Sequence, residues 1–393
     1  MTNRPLRILT LATLFPNIVQ PNFGIFVERQ TAGLAALDGV DVTVINPIAM
    51  PPWPLRLAPP YRALSALPQQ EVWRGLNVHR PRFAMIPKYG GPFNPAMIAR
   101  AILPLARRLH QEQSFDLIGA EFFYPDGPAA MRLSQALGIP FTIKARGADI
   151  HHWGAVKGCA EQILAAADKA AGLLAVSAAL KRDMAALGMD ADKIMIHYTG
   201  LDQSRFTPQN RAAAKQKLGI DAPLILSVGA LIPRKNQAQL IKALPALPSV
   251  HLMLAGQGDS EDDYRKLAHD VRAASRVHFA GSVAHDDLPA LYAAADIMAL
   301  VSKSEGLANA WVEALACGTP LITSNVGGAP ELITSPDAGR IVADDANAIA
   351  AAVRDLLNNP IPPERVAAQV AHFSWANNAQ ILAAFFRRMA AAD

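Results

Sequence analysis

Short apolar runs alternate with helix-patterned stretches along nearly the whole chain, and this alternation is the strongest constraint on what it can fold into. Strand–helix alternation is the pattern of parallel α/β architecture. In the first half, strands are expected at Arg7–Leu14, Val40–Asn46, Val78–Pro81, Leu117–Glu121, Phe141–Lys144, Gly172–Val176 and Ile194–Tyr198. After Thr207-Pro208 the pattern restarts, with strands expected at Leu224–Gly229, Val250–Ala255, Val277–Ala280, Ile297–Val301, Leu321–Thr323 and Gly339–Val342. Helices fill the intervals, among them Phe26–Ala36, Ala96–Glu112, Asn236–Ala246, Ala310–Cys317 and a last one over Trp375–Met389. A proline-rich stretch, Pro47 to Pro60, interrupts the first half and reads as a surface loop over the cleft between the domains.

The composition narrows the class. The chain has 393 residues and is 51% hydrophobic, enough for two large cores. No run of about 18 uncharged apolar residues suggests a membrane span. The first apolar run follows Arg4 and Arg7, but it is brief, lacks a small-x-small cleavage site and ends in Phe15-Pro16-Asn17, so it reads as a buried strand rather than a signal peptide. Two cysteines, Cys159 and Cys317, exclude a disulfide framework and fit a reducing compartment, and no Cys/His cluster has zinc spacing. Charge is uneven: residues 1–205 hold 21 Lys and Arg against 15 Asp and Glu, the remainder 16 against 18. Arg56, Arg62, Arg74, Arg80, Arg82, Lys88, Arg100, Arg107 and Arg108 lie among Trp53, Tyr61 and Trp73. That mixture suits ordinary surface, anionic lipid headgroups or a phosphorylated acceptor. Nucleic acid is not expected, since no nucleic-acid motif accompanies the basic balance.

The chemistry concentrates in Ser304 to Glu331, which reads SEGLANAWVEALACGTPLITSNVGGAPE. Glu305 and Glu313 stand eight residues apart. A helix start offers free N–H groups to an anion, and an ionised carboxylate accepts hydroxyl protons. Eight helical residues span about 12 Å, the reach from a sugar across a diphosphate to a ribose. The segment therefore suits a sugar nucleotide, with hydroxyls on the two glutamates and phosphates on the helix start near Gly306 and Leu307. The paired acids Asp262-Asp263, Asp286-Asp287 and Asp344-Asp345 read as helix-start residues rather than a metal motif.

This segment resembles the E-x7-E motif of retaining, family-four (group 1) glycosyltransferases, and the tail EALACGTP…GGAPE extends the match. The resemblance implies the GT-B fold: two Rossmann-like domains facing across a cleft, with the C-terminal helix crossing back to the first. Residues 1–205 would form an acceptor-binding domain, 206–370 a donor-binding domain and 371–393 the crossover helix. Tyr198-Thr199-Gly200-Leu201-Asp202 through Pro208 resembles the family hinge, with Tyr198 or Thr199 where asparagine is usual. Gly229 to Asn236 resembles the diphosphate loop. Lys235 aligns with its lysine, while Ala230 replaces the usual arginine and leaves Arg234 as a substitute. Gly256 and Gly258 resemble the G-x-G turn, and Val283 lies in the segment beside the base. In the first half, Gly24 matches the glycine loop after the first strand. Lys144 to Ile150 resembles the acceptor-side HG-x-D motif, with Arg146 in place of histidine. Arginine stays charged and cannot be a general base, but it can clamp a phosphate or carboxylate. Asp149, His151 and Glu121 are the other acceptor-side candidates.

The expectation is therefore a retaining, metal-independent transferase with Glu305, Lys235 and Arg146 in catalytic roles and no cofactor beyond its nucleotide-sugar donor, UDP ahead of GDP. Its acceptor would be a glycan or a lipid-linked chain. The expected location is the cytoplasm, including the cytoplasmic face of an anionic membrane. A GT-B sugar-nucleotide epimerase, active without acceptor, and a non-catalytic sugar-nucleotide-binding protein are the rivals.

Overall fold

The computed structural model describes residues 4–87 and 90–391; Lys88 lies outside them. The chain separates into two compact units, one formed by Met1–Gly200 with Trp375–Asp393 and the other by Leu201–Ser374. In the first, ten strands alternate with helices: β1 (Leu6–Leu11), β2 (Val40–Ile45), β3 (Ile48–Met50), β4 (Gln70–Trp73), β5 (Leu76–His79), β6 (Arg82–Ala84), β7 (Leu117–Ala120), β8 (Phe141–Ala145), β9 (Gly172–Ala175) and β10 (Ile194–Ile196). Eight form one sheet in the order β10-β9-β8-β7-β1-β2-β5-β4. Only β4 runs antiparallel, at the edge. The interior strands are buried on both faces, which is why they read as unbroken apolar runs rather than alternating ones.

Two expectations are corrected here. The first strand stops at Leu11, three residues early, and the chain turns into a loop. The Pro47–Pro60 stretch is not a plain loop. Ile48–Met50 pairs in parallel with β6 as a separate two-stranded sheet, and Pro59 begins a helix that runs to Ser65. Proline suits a first helical turn, where its missing N–H has no partner to lose.

The helix Trp375–Ala390 packs on the helix Ile25–Ala35, and its Leu382, Phe385 and Phe386 complete the core formed by Leu6, Ile8, Leu117 and Leu174. Gly119 and Gly172 make room for it. A Cβ on Gly172 would sit 2.6 Å from the Phe385 ring, and one on Gly119 3.3 Å from Phe386. Glycine in a strand often marks such a close approach.

The second unit holds β11 (Leu224–Val228), β12 (His251–Ala255), β13 (Val277–Gly281), β14 (Ile297–Leu300), β15 (Leu321–Ser324) and β16 (Gly339–Val342). They form an all-parallel sheet in the order β13-β12-β11-β14-β15-β16. Chain direction across the sheet reverses between β11 and β14, and ligands of open α/β sheets bind outside the carboxyl ends of the strands at such a switch point. The corresponding reversal in the first unit falls between β1 and β7. Among the described residues, no helix is long and apolar enough to cross a membrane.

Candidate donor and acceptor sites

The switch point of the second unit collects most of the expected donor residues. The loop after β11 contains a 3-10 turn, Pro233–Lys235, closed by Asn236 in the left-handed region (φ 60°). The buried Asn236 side chain pins that turn by donating to the Val301 carbonyl (3.1 Å) and to Asp344 (2.6 Å). Lys235 therefore leaves a fixed base and crosses Gly229. Its Cε lies 3.6 Å from where a Cβ on Gly229 would stand. The glycines at the strand ends serve loop packing. A Cβ on Gly256 would fall 2.0 Å from the Gly229 carbonyl oxygen, and one on Gly258 2.3 Å from that of Leu231. Only glycine allows these two loops to lie together.

Lys235 Nζ donates to Glu305 Oε1 at 2.5 Å, and Arg234 Nη1 lies 3.4 Å from the same oxygen. Arg234 also donates to the Ser304 carbonyl at 2.7 Å. Two cations thus converge on one nearly buried carboxylate. Glu305 is four residues ahead of the helix Asn309–Ala316. Helical rise therefore does not set its separation from Glu313, contrary to the expectation. The Glu305–Gly306 backbone is held instead by Gly327 and Gly328. Gly328 donates to the Gly306 carbonyl at 2.7 Å, and a Cβ on Gly327 would strike the Glu305 carbonyl oxygen at 2.3 Å. Leu307 is buried beside them.

Glu313 lies on the helix and is gripped by two residues that the motif did not name. His285 Nε2 meets one oxygen at 2.9 Å and the Tyr292 hydroxyl donates to the other at 2.9 Å. Burial first, and then the Glu313 charge, raise the Tyr292 pKa well above its usual value and keep that hydroxyl a donor. Val283 is half-buried in the loop after β13, two residues before His285. Cys317, buried at the far end of the helix, has its thiol pushed up to about 12 by burial and is no nucleophile.

In the first unit the acceptor-side candidates form a buried network. Gln30 Nε2 donates to both oxygens of Glu121 at 2.8 Å, and Lys144 Nζ donates to Gln30 Oε1 at 2.5 Å. These contacts fix the Gln30 amide: its oxygen faces the lysine and its nitrogen the carboxylate. Arg146 donates through Nε to the Glu121 carbonyl at 2.9 Å and through Nη2 to its carboxylate, while its guanidinium lies 4.8 Å over the Phe26 ring. Lys144 also lies 2.7 Å from His197 Nδ1, and His197 Nε2 is 2.9 Å from the Asn378 carbonyl. That carbonyl can only accept, so Nε2 carries the proton and Nδ1 accepts from the lysine. Burial lowers the pKa of both Lys144 and His197.

Asp149 is fully buried and accepts from the backbone N–H groups of Phe123, Arg146 and Gly147. It holds the turn that carries Arg146. Glu121 is 4% exposed, so both acids address the protein itself. His151 lies apart, 2.9 Å from Asp183. Gly24 caps the helix Ile25–Ala35 in the left-handed region, and a Cβ there would meet the Leu14 carbonyl carbon at 2.5 Å. Its close approach is to its own chain. Asp126, also unanticipated, bridges the loops after β1 and β7 by accepting from the Thr13 N–H at 3.0 Å. Burial, opposed by the Thr13 hydrogen bonds and reinforced by Glu121 and Asp149, raises its pKa to about 7.

The fold and this site meet known relatives. Residues 24–200 match a glycosyl transferase 4-like domain and residues 210–372 match glycosyl transferases group 1. Over 362 residues the chain is 30% identical to the putative teichuronic acid biosynthesis glycosyltransferase TuaC of Bacillus subtilis, covering 88% of each. Over 176 residues it is 36% identical to a GDP-mannose-dependent alpha-(1-6)-phosphatidylinositol monomannoside mannosyltransferase of Mycolicibacterium smegmatis, covering 41% of this chain and 46% of that one. Among solved structures, sucrose-phosphate synthase from Thermosynechococcus elongatus superposes with a TM-score of 0.83 at 21% identity, over 98% of this chain and 100% of that one. HepE of Anabaena in complex with UDP-glucose gives 0.73 at 21% identity, over 97% and 99%. Two parallel α/β units of this kind define the GT-B class of transferases. The chain belongs to the group 1, family-four glycosyltransferases.

Proposed function

We propose that this glycosyltransferase moves a sugar from a nucleoside-diphosphate sugar to a hydroxyl of a glycan or lipid-linked acceptor in polysaccharide or glycolipid synthesis, with retention of configuration and without a metal. The observation that carries the reading is the convergence of Lys235 and Arg234 on Glu305 at the switch point of the second unit. Cleavage of the sugar–phosphate bond leaves negative charge on the diphosphate, and a preorganised cation pair stabilises it. Once phosphate draws those cations, the Glu305 carboxylate is freed to accept from sugar hydroxyls. Glu313 keeps lone pairs beyond those used by His285 and Tyr292, enough for a ribose. The leaving phosphate would take the acceptor proton on the same face. Arg146, held through Nε and Nη2, has Nη1 left for an anionic group of the acceptor; Glu121 and Asp149 position it rather than bind sugar.

The donor nucleotide is UDP in this reading, supported by the fold likeness to a UDP-glucose complex. GDP is the second reading, favoured by the 36% identity to a GDP-mannose-dependent relative. Calorimetric titration of UDP and GDP in the presence of EDTA tests both. Micromolar binding of one, weakened at least about tenfold by Lys235→Ala, is expected. Unchanged affinity in that variant would remove Lys235 from the site, and a requirement for metal would overturn the metal-free mechanism.

A further inference from the structure

From Val42 to Gln111 the sequence holds a single acidic residue, Glu71, against nine Lys and Arg. The structure ties that acid down: Glu71 pairs at 2.5 Å with Arg80, a fully buried guanidinium that also donates to Asn46 and to the Pro16 carbonyl. Arg82 is likewise engaged on the carbonyls of Leu67 and Arg80. Arg80 therefore belongs to no surface patch, which corrects the expectation for it, while Arg82 is half-buried. Arg56, Arg62, Arg100 and Arg107 remain exposed, and the surface of this segment carries no free acid among the described residues.

The apolar side chains are distributed in the same uneven way. Of thirteen exposed large hydrophobic residues among those described, nine lie between Ile18 and Phe93. The sharpest group is a knuckle in which every residue from Pro52 to Pro60 is exposed. Trp53 is 70% exposed, Leu55 52% and Leu57 60%, with Arg56 between the leucines. Helix Pro59–Ser65 follows, packs on β3, and carries Arg62. β3 pairs with β6, and β6 packs on the helix Asn94–Glu112, which carries Arg100 and Arg107. These elements are contiguous in the first unit, and the exposed charges they carry are Arg56, Arg62, Arg100, Arg107 and Arg108, with one exposed acid, Glu112, 3.8 Å from Arg108.

We propose that this surface docks the protein on an anionic lipid bilayer, with Trp53, Leu55 and Leu57 entering the headgroup–acyl boundary and Arg56 and Arg62 meeting the headgroups. A tryptophan beside leucines, with arginine interleaved and no acid in the sequence from Val42 to Gln70, satisfies both demands of an interfacial anchor: apolar area to bury and charge opposite to the lipid. Exposed apolar clusters with a charged rim mark interaction surfaces, and a surround whose two acids, Glu71 and Glu112, are each paired with an arginine keeps a net cationic surface, which selects a diffuse anionic sheet over a protein partner with charges of both signs. The inference deepens the reading of an enzyme for lipid-linked acceptors but is measured without any sugar transfer.

The test is flotation of the full-length protein with vesicles of phosphatidylcholine alone and of phosphatidylcholine mixed with phosphatidylglycerol. Binding to the mixed vesicles only, weakened by salt, is expected. The triple variant Trp53→Ser/Leu55→Ser/Leu57→Ser and the double variant Arg56→Glu/Arg62→Glu should each weaken it at least about tenfold. Ile341→Ser, an exposed apolar site on the second unit, should leave it unchanged. All the substituted side chains are exposed, and thermal melts and UDP titrations of the variants report fold and donor site separately. If one variant fails to fold, the other still decides. No preference for the anionic vesicles, or unchanged binding in a folded variant, would overturn the proposal. So would a dimer, seen by sedimentation, that the triple variant dissolves, since the knuckle would then face a second copy of the chain.

Discussion

The two switch points handle charge in opposite ways. In the second unit, two cations and one carboxylate meet at the rim of the sheet, supplied by the loops directly after β11 and β14. In the first, Glu121, Lys144, Asp126 and Asp149 are almost wholly enclosed, and each is answered by another part of the same unit. A site that must exchange partners with a ligand keeps its ions where a phosphate can reach them. A site that must aim one arginine encloses its ions and fixes their geometry, because a buried unpaired charge is costly. In the proposed reading, donor chemistry would rest on replaceable contacts and acceptor positioning on permanent ones.

Three experiments would break or sharpen that contrast. The largest effect is expected from Glu305→Gln, which keeps the shape and removes the charge that the two cations answer. Turnover should fall about a thousandfold with the melting temperature little changed; near-normal turnover would mean that the rim pair is structural, like the network of the other unit. Next comes Asp126→Asn. With a folded pKa of about 7 against 3.8 unfolded, the native state holds the extra proton between those values. Stability is then full below about pH 4 and falls as pH rises to about 7, by on the order of 3 kcal/mol. The wild-type minus variant difference in denaturation midpoint should follow that window, and a difference independent of pH would remove Asp126 as an ionising group. The smallest effect is expected from Gln30→Leu, which leaves Glu121 and Lys144 without their bridge. It should cost about 2 kcal/mol in urea unfolding and raise the KM for acceptor while leaving UDP affinity intact. Altered UDP binding with unaltered acceptor KM would contradict a purely acceptor-side role.

The same contrast governs what the sequence disclosed. Thirteen of the sixteen strands fall in the expected runs, most of them apolar, and the helices between them have clear period; β3, β4 and β6 are short, mixed in polarity and carry no such signal. Lys235 and Glu305 were legible because each follows a buried strand within a few residues, so a local motif carries the chemistry. Gln30, His197 and Asn378 were not, since their partners arrive from 53 to 181 positions away. One signal was available. Lys144 sits inside Phe141–Ala145, a strand buried at every position, and a lysine there requires partners of its own. His285 and Tyr292 carried no such signal, because a loop histidine and a helical tyrosine are ordinary until a carboxylate lies between them.

The contact between Gly200 and Trp375, so close that a Cβ on the glycine would lie 2.2 Å from the indole, has a consequence for synthesis. The chain leaves the first unit and re-enters it at one spot, with the whole of Leu201–Ser374 looped out between. The second unit can therefore fold as it emerges from the ribosome, while the first waits for Trp375–Ala390 before its core gains Leu382, Phe385 and Phe386. The first unit is thus completed after the second, and a nascent chain stalled before Trp375 would display a closed second unit attached to an open sheet.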